Sequence, residues 1–350
     1  MTKETSRVRA IYRSGLLILR AAWLVVQLSL DRVLSSAPSE NRAAQIEQRL
    51  GRWARETARL IGMRVHFDGE LPNGPVAIVA NHLSYIDIVA LWCLVPGVFV
   101  ARADVANWPL IGRAGRLIDT IFIDRTRKRD LLRVLPEMQA ALASGRNVIF
   151  FPEGTSSRGE YVLPFKSPLF EAAVRADVPV VGASLQFETA DPAPSADWSV
   201  AWWADMTFAP HVFALLHLPG FDARIRFSEQ IWAPPELEPT RTPSLVYGEK
   251  GEQPIGKRAA KGTASSAGGS HPQESAARPS NRSSRKRKQL CRLAYETVEK
   301  KFIPTTPVRS IEPADLPRAI ARVPSPQRSL ASRDGASGAE SSPKAVVRRK

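Results

Sequence analysis

The sequence predicts an α/β fold in which a mixed sheet is flanked by helices on both faces. Short apolar segments alternate with helix-like segments over about the first two thirds of the 350-residue chain, and this alternation is typical of α/β sheets. Residues 76–80 form a continuous apolar run, and residues 147–151 are apolar after Asn147, which indicates strands buried on both faces. Each runs directly into a polar motif, as strands next to a functional site do.

The first predicted helix is amphipathic. Polar residues recur along it at spacings of 4, 7, 7 and 4 and form one stripe: Arg9, Arg13, Arg20, Gln27 and Asp31. Apolar residues occupy the opposite surface: Leu16, Leu17, Leu19, Trp23, Leu24, Val26 and Leu30. This run spans only about 22 Å as a helix, short of a hydrocarbon core of roughly 30 Å. We therefore expect a helix that lies in a membrane interface, with ordinary packing on the domain as the alternative.

A second helix is predicted to begin after residues 38–39 and to bury one stripe: Ile46, Leu50, Trp53, Thr57 and Leu60. Residues 1–62 are assigned to these N-terminal helices and residues 63–235 to one α/β domain. The pattern predicts strands at 65–68, 76–80, 99–102, 121–123, 147–151, 179–187 and 223–227, and a helix at 130–144 closed by Gly145.

Positive charge is concentrated after residue 248. Residues 249–350 hold 22 Lys and Arg against 9 Asp and Glu, and the whole chain carries a net charge of +15. The nearly neutral remainder excludes a basic nucleic-acid-binding domain, so no nucleic-acid partner is expected. Composition predicts a disordered basic insertion at 236–285, a helix at 286–303 and a disordered tail at 304–350. The cation cluster at 285–288 is either a solvated run or an attachment point for anionic lipid.

The heptapeptide at residues 81–87 contains the most informative pair, His82 and Asp87. It joins a buried strand to an apolar helix, where an open α/β sheet places its chemistry. The pair can meet only if His82 lies in the turn and Asp87 on the first helical turn, and the carboxylate then leaves one imidazole nitrogen as a base. The alternative for His82 is a histidine that caps a core helix. The same spacing recurs at His217 and Asp222, but a Pro-Gly turn inside that copy indicates a loop.

A second motif follows the strand at 147–151. Small and hydroxyl residues between Pro152 and Gly159 leave backbone N–H groups free to hold an anion at the carboxyl end of this strand. Arg125 follows a third apolar strand, at residues 121–123. The sequence thus predicts an anion-binding turn and a cation at the carboxyl ends of two strands.

Together these residues resemble the glycerolipid acyltransferases of the lysophosphatidic acid acyltransferase family. The family's four blocks occur in order, as Asn81-His82 with Asp87, residues 121–125, residues 151–155 and residues 178–181, and the resemblance covers residues 65–231. Two positions depart from the family pattern: Asp119 stands where block two usually opens with Gly, and Ser156 stands where Arg usually follows Thr155. Residues 163–170 look more like the branch that includes lyso-ornithine lipid acyltransferases, which leaves the acceptor's head group open.

The resemblance implies a glycerol-3-phosphate acyltransferase-like fold in which the N-terminal helices form a membrane-associated hairpin. It implies acyl transfer from acyl-CoA or acyl carrier protein to the free hydroxyl of 1-acyl-sn-glycerol-3-phosphate in phospholipid biosynthesis. Lyso-ornithine lipid or another lysolipid is the alternative acceptor. His82 would be the general base, oriented by Asp87. The expected substrate-binding residues are Arg125, Glu153, Gly154, Thr155, Ser156, Arg158 and Lys166, with Arg158 replacing the cation that is missing at Ser156.

No cofactor or metal is expected, because an acyl thioester is already activated and no cluster has metal-ligand spacing. The expected partners are a membrane lipid acceptor, the acyl thioester and an anionic membrane surface. Two cysteines without a disulfide framework suit a reducing compartment, so we expect a protein at the cytoplasmic face of a membrane. Two rival classes remain: a lipid hydrolase or transacylase that uses His82, and a non-enzymatic adaptor that acts through the basic tail.

Overall fold

The computed structural model describes residues 3–34, 39–233 and 281–305. The predicted disordered segments, residues 236–285 and 304–350, lie almost entirely outside these described residues. The helices are α1 Lys3–Leu34, α2 Ser39–Ile61, α3 Ile86–Leu94, α4 Ile111–Leu117, α5 Leu131–Ala143, α6 Phe170–Ala176, α7 Ala196–Ser199, α8 Phe208–Leu216 and α9 Asn281–Lys301. The strands are β1 Met63–Asp68, β2 Ala77–Ala80, β3 Val98–Arg102, β4 Ile121–Ile123, β5 Val148–Phe150, β6 Val180–Glu188 and β7 Phe221–Ile231.

The strands of this part of the chain form one mixed sheet in the order β1-β7-β6-β2-β5-β3-β4. Neighbouring strands are parallel except β6 and β7, which are antiparallel. The predicted mixed sheet flanked by helices is therefore confirmed. Because β2, β5, β3 and β4 run in the same direction, their carboxyl ends meet at one edge of the sheet. The motifs that follow β2, β4 and β5 consequently lie at that edge.

Apolar cores cover both faces of the sheet. One face packs against α1, α2, α3 and α8 through side chains that include Leu91 and Leu215. The other face packs against α5, α6 and α9 through side chains that include Phe170 and Leu290. Ile78 in β2 is fully buried, as expected for a strand that is covered on both faces and that reads as a continuous apolar run.

The polar stripe of α1 faces the rest of the protein. Arg13 Nη1 donates to the Leu218 carbonyl at 2.6 Å and to the Leu216 carbonyl at 3.3 Å, and Arg9 donates to the His217 carbonyl. These carbonyls lie at the C-terminal end of α8, where unsatisfied acceptors and the helix dipole favour cations. Arginine side chains thus attach α1 to the domain.

The apolar stripe of α1 faces away from the protein. Its exposed side chains are Val8, Ile11, Tyr12, Ile18, Leu19, Trp23, Val26, Leu30 and Val33. The apolar stripe therefore does not pack on the domain, which was the alternative expected from the sequence. The buried residues Leu24 and Leu28 lie beside the polar stripe. Ion pairs link α1 to α2: Arg20 pairs with Glu56, and Asp31 pairs with Arg49 at 3.0 Å. No helix among the described residues is long and apolar enough to cross a bilayer.

The predicted C-terminal helix is present as α9 and packs back on the domain. It begins at Asn281 and not at residue 286, so residues 281–285, predicted to be disordered, belong to the helix. Leu290 and Val298 are buried, which agrees with the apolar pattern that predicts this helix. Buried Glu171 in α6 accepts hydrogen bonds from Arg175 at 2.8 Å and Arg287 at 3.5 Å. The chain then returns towards the second motif.

Candidate active site

The site begins where β2 leaves the sheet. The Asn81 side chain continues the pairing with β6: Nδ2 donates to the Leu185 carbonyl at 3.0 Å, and Oδ1 accepts from the Leu185 amide at 2.7 Å. Asn81 is buried, so both ends of its amide need these partners. The next residue, His82, is the first that lies beyond the strand pairing.

His82 and Asp87 are in contact, as their spacing predicts for a turn followed by a helix. His82 Nδ1 lies 2.7 Å from Asp87 Oδ2, and α3 begins at Ile86. The same Oδ2 accepts hydrogen bonds from the Leu83 amide at 2.8 Å and the Ser84 amide at 3.0 Å. One carboxylate at the first turn of the helix therefore closes the turn and holds the imidazole.

This contact assigns the tautomer of His82. Asp87 is fully buried and accepts the hydrogen bonds at Oδ2, so Nδ1 is the nitrogen that carries the proton. Nε2 then carries the lone pair, and it has no hydrogen-bond partner in the part of the chain that the structure describes. The His82 side chain is 19% exposed, which leaves Nε2 open to a substrate.

Phe151 and Glu153, which follow β5, lie beside the His82 turn. The Phe151 ring stacks on the imidazole with centroids 4.1 Å apart and 15° between the ring planes. Glu153 is buried, and its Oε1 accepts a hydrogen bond from the Leu163 amide at 3.2 Å. Burial raises the pKa of Glu153 to about 8, against the opposing effect of two backbone amides and with a further increase from the Asp87 charge. Glu153 is therefore mostly protonated at neutral pH.

Two cations meet at Gly154. Arg125 Nη1 donates to the Gly154 carbonyl, and a Cβ added at Gly154 would stand 2.6 Å from Lys166 Nζ. Gly154 has a φ of +80°, a backbone conformation that glycine adopts without strain. Crowding by protein atoms, followed by the like charge of Arg102, lowers the pKa of Arg125 although its side chain still contacts solvent. This crowding of positive charge makes the turn suitable for an anion.

Thr155 and Ser156 continue the same turn. Thr155 is exposed, and its hydroxyl donates to the Ser156 carbonyl at 3.3 Å. Both residues follow Gly154 in the chain. The structure therefore brings the sequence-predicted residues Arg125 and Lys166 together at Gly154, and Thr155 and Ser156 continue the same turn.

Arg158 is the predicted site residue that points elsewhere. Its Nε donates to Asp197 Oδ2 at 2.8 Å, and its Nη1 donates to Glu160 Oε1 at 3.1 Å. The guanidinium carbon lies 5.0 Å from the ring centroid of Trp198 and 5.7 Å from that of Trp203. Two carboxylates and two aromatic rings thus occupy this guanidinium. This geometry corrects the expectation that Arg158 replaces the cation missing at Ser156.

Two other parts of the family pattern receive a structural account. Asp119 has a φ of +59° and accepts a hydrogen bond from Arg146 at 3.1 Å. This position, where the resemblance leads us to expect Gly, therefore has a left-handed backbone, which aspartate tolerates better than most side chains. Block four, residues 178–181, leads into β6 at the opposite edge of the sheet from His82, where Val180 and Val181 are buried. Block four therefore contributes to the core.

The second His–Asp spacing does not form a pair. His217 follows α8, and its Nδ1 lies 3.3 Å from the Phe213 carbonyl. Asp222 lies in β7, where it accepts hydrogen bonds from Arg64 at 2.7 Å and His66 at 2.8 Å. The predicted loop is present at residues 217–220, but Asp222 is a strand residue.

Sequence reasoning missed two buried polar groups beside the site. His211 Nδ1 lies 2.9 Å from the Tyr85 hydroxyl, and burial lowers the pKa of His211. Asp197 is fully buried and binds Arg158. Both lie in or next to the aromatic-rich segment at residues 198–218. A polar residue within or directly before an aromatic-rich segment is the only signal that the sequence offers for His211 and Asp197.

The arrangement supplies an open imidazole nitrogen, a buried carboxylate behind it and a cationic turn nearby. Such a site can remove a proton from a hydroxyl whose molecule also carries an anionic group. Burial raises the pKa of the Cys93 and Cys291 thiols to about 11, so neither is an activated nucleophile. Among the described residues, no group of three or more His, Cys, Asp and Glu side chains could hold a metal ion.

The chain is similar to proteins of one family. A family model described as Acyltransferase matches residues 62–186. The chain is 32% identical over 195 residues to a lyso-ornithine lipid O-acyltransferase from Brucella abortus, covering 53% of this chain and 73% of that relative. It is 38% identical over 118 residues to a 1-acyl-sn-glycerol-3-phosphate acyltransferase from Neisseria gonorrhoeae, covering 34% of this chain and 46% of that relative.

The fold also matches a solved structure. The crystal structure of the 1-acyl-sn-glycerophosphate acyltransferase PlsC from Thermotoga maritima aligns with a TM-score of 0.51 and 20% sequence identity. The alignment covers 66% of this chain and 87% of that one. At this level of identity the comparison shows a shared α/β fold.

Proposed function

Because this chain belongs to the lysophospholipid acyltransferase family, we propose that it transfers a fatty acyl group from an acyl thioester to a lysolipid hydroxyl. The sequence-based prediction of an O-acyltransferase is confirmed by this membership. The non-enzymatic adaptor alternative is therefore wrong. Family membership alone does not assign the acyl donor, the acceptor or the catalytic residues, which we propose from the structure.

The contact between His82 Nδ1 and Asp87 Oδ2 at 2.7 Å carries the proposed mechanism. His82 Nε2 removes the proton from the acceptor hydroxyl as its oxygen attacks the thioester carbonyl. The Asp87 carboxylate stabilises the imidazolium that forms. The tetrahedral intermediate then expels the thiolate of CoA or of acyl carrier protein, which takes the proton back from Nε2. No acyl-enzyme is needed, because a thioester is already activated.

The anionic group of the acceptor is assigned to the turn at Gly154. Arg125 and Lys166 meet there, and guanidinium and ammonium groups bind carboxylates and phosphates through charge-assisted hydrogen bonds. Phe151, three residues before Gly154, stacks on the His82 ring. The turn is therefore close to the base, as an acceptor that presents both a hydroxyl and an anion requires.

Lyso-ornithine lipid is the acceptor that these observations favour. Similarity to the Brucella lyso-ornithine lipid O-acyltransferase extends over 53% of the chain, against 34% for the Neisseria 1-acyl-sn-glycerol-3-phosphate acyltransferase. Asp197 and Glu160 occupy Arg158, so it does not replace the Arg that is missing at Ser156. An ornithine carboxylate needs fewer cations than a phosphate dianion. The glycerophosphate acceptor is the second candidate, because Arg125 and Lys166 can also bind a phosphate.

Arg125→Ala is expected to raise KM for the acceptor by about 10-fold to 100-fold with little change in kcat, because charged hydrogen bonds are lost from bound acceptor. The measurement is the initial rate of thiol release in detergent micelles, with lyso-ornithine lipid and 1-acyl-sn-glycerol-3-phosphate as acceptors. Arg127→Ala is the matched control, because this side chain in the same loop is 80% exposed, and it should behave as wild type. An unchanged KM in Arg125→Ala would move the anion site elsewhere, and faster acylation of the glycerophosphate would favour the second candidate.

We also propose that α1 seats the protein on a membrane through its exposed apolar stripe. The stripe runs from Val8 to Val33, which is about 37 Å of helix at 1.5 Å per residue. No charged residue lies on this face of α1 between Val8 and Val33. The face includes Tyr12 and Trp23, residue types that favour the membrane interface. Attachment through Arg13 leaves the stripe free for lipid. Residence on the cytoplasmic face stays a prediction.

Replacing Leu19 and Val26 by glutamate should weaken binding to phospholipid vesicles by at least about 10-fold, because two apolar side chains no longer enter the lipid. Vesicle flotation measures the bound fraction, and activity in detergent micelles should be retained because the His82 turn is untouched. Leu132→Glu on α5 is the control, since Leu132 is 56% exposed and Leu19 is 66% exposed. Equal vesicle binding by the double variant and the control would contradict the proposed membrane contact.

A further inference from the structure

We propose that Arg158 and Asp197 form a buried clamp that positions the His82 turn, so that both are positioning residues for acyl transfer. The inference rests on the proposed role of His82 as the base. It assigns a function to Asp197, which no sequence motif contains. It also gives Arg158 a role other than binding the acceptor's head group.

Two backbone hydrogen bonds from other segments hold the His82 turn. The Ser157 amide donates to the His82 carbonyl at 2.8 Å, and the Trp202 amide donates to the Leu83 carbonyl at 2.8 Å. These two hydrogen bonds fix the two successive peptide groups that follow the Cα atom of His82, namely those that contain the His82 and Leu83 carbonyls. The direction in which the imidazole points therefore depends on the positions of Ser157 and Trp202.

An ion pair between Arg158 and Asp197 joins the segments of these two donors. Ser157 immediately precedes Arg158, and Trp202 lies five residues after Asp197. Arg158 Nε donates to Asp197 Oδ2 at 2.8 Å, and Nη2 lies 2.7 Å from the same oxygen. Asp197 is fully buried, and its Oδ1 accepts a hydrogen bond from the Ser195 hydroxyl. One ion pair thus connects the two segments that contact the His82 turn.

Aromatic side chains pack around this ion pair. Trp198 and Trp203 lie against the Arg158 guanidinium at 5.0 Å and 5.7 Å, and Trp203 Nε1 donates to the Asp197 carbonyl at 3.0 Å. The Arg158 side chain is only 16% exposed. Exclusion of water strengthens both the ion pair and the cation–π contacts. The clamp is therefore a packed unit and not a surface ion pair.

Loss of either partner has a specific consequence. Without Arg158, the buried Asp197 carboxylate has no ion-pair partner among the described residues, and without the Asp197 charge, Arg158 keeps only Glu160, whose side chain is 51% exposed. A buried charge that loses its buried partner is unfavourable, so the loops that hold it must move to admit water. Ser157 and Trp202 would move with them and displace the His82 turn. A shift of about 1 Å in a catalytic group can lower the rate by about 100-fold. Binding of the acceptor at Gly154, where Arg125 and Lys166 remain, would be preserved.

The test compares Arg158→Gln, Asp197→Asn and the double variant with wild type, in detergent micelles at a temperature well below the Tm of every variant. Each single variant should lower kcat by about 10-fold to 100-fold on every acceptor, with the acceptor KM unchanged. The kcat of the double variant should be no lower than that of the more severe single variant, because either substitution alone already breaks the ion pair. Arg158→Lys retains a charge for Asp197 and should lose less kcat than Arg158→Gln. If Arg158→Gln does not fold, Asp197→Asn carries the test.

Arg146→Gln is the matched control. Arg146 is 12% exposed and binds Glu47 at 2.9 Å and Asp119 at 3.1 Å, but it precedes β5 and so lies at the edge of the sheet opposite His82. This variant should lower Tm and leave kcat unchanged. A raised acceptor KM with normal kcat in Arg158→Gln, or variants that lose only Tm as the control does, would overturn the clamp. A wild-type protein that transfers no acyl group, or an active His82→Ala variant, would instead contradict the proposed function.

Discussion

Replacing His82 by alanine should lower kcat for acyl transfer by about 100-fold to 10,000-fold, the range that general-base catalysis contributes. His82 Nε2 is the nitrogen left open once Nδ1 binds Asp87 at 2.7 Å, so its removal leaves the acceptor hydroxyl without a base. KM for the acceptor should change little, because the cations that bind the head group are untouched. The measurement is the rate of thiol release from an acyl thioester in the presence of lysolipid.

His217→Ala is the control for this prediction. His217 has the same spacing to an aspartate, but its Nδ1 lies 3.3 Å from the Phe213 carbonyl and Asp222 binds Arg64 and His66 instead. The His217→Ala variant should retain wild-type kcat. Full activity of His82→Ala, or equal losses in the two variants, would show that the heptapeptide at residues 81–87 is not the catalytic element.

Asp87→Asn should lower kcat by about 100-fold or more, the second largest effect expected. Asparagine still offers an oxygen to the Leu83 and Ser84 amides, which Asp87 Oδ2 now binds at 2.8 Å and 3.0 Å, so the turn should fold. The buried negative charge that stabilises the imidazolium is lost. The measurement combines kcat with a thermal unfolding curve. The variant should lose most of its activity, whereas its Tm should change little.

The double variant His82→Ala/Asp87→Asn sharpens this prediction. If Asp87 acts through His82, the double variant should be no less active than His82→Ala alone, because residues that act as one unit are not additive. Asp87→Asn with near-normal kcat would contradict the role of the carboxylate. A double variant that is much less active than His82→Ala would show that Asp87 has a separate function.

Local patterns in the sequence predict the contacts at the edge of the sheet where His82 lies. The contact of His82 with Asp87 follows from a five-residue spacing across a strand–turn–helix boundary, and β2 and β5 follow from continuous apolar runs. The turn at Gly154 follows from the small residues between 152 and 159, and its φ of +80° agrees with the glycine there. Each of these features depends on a few consecutive residues, whose backbone conformation is largely determined by their own side chains.

Other features depend on residues that are distant in the chain. Arg158 and Asp197 are 39 positions apart in the sequence. Sequence analysis therefore treats Arg158 as a cation available to the acceptor, whereas in the fold it forms a buried ion pair. Periodicity identifies the two faces of α1, but it cannot tell which face meets the domain. That choice depends on the carbonyls at the end of α8, which accept hydrogen bonds from Arg9 and Arg13.

The central claim is direct transfer from a thioester to a lysolipid hydroxyl by the His82 turn. The measurement that tests it most directly follows an isotope-labelled acyl thioester by mass spectrometry, with and without lyso-ornithine lipid. The account predicts that the label enters the acylated lipid only when acceptor is present, and that the thioester stays intact without it. Release of labelled free fatty acid from donor alone, at a rate equal to that with acceptor, would contradict the account and identify a hydrolase.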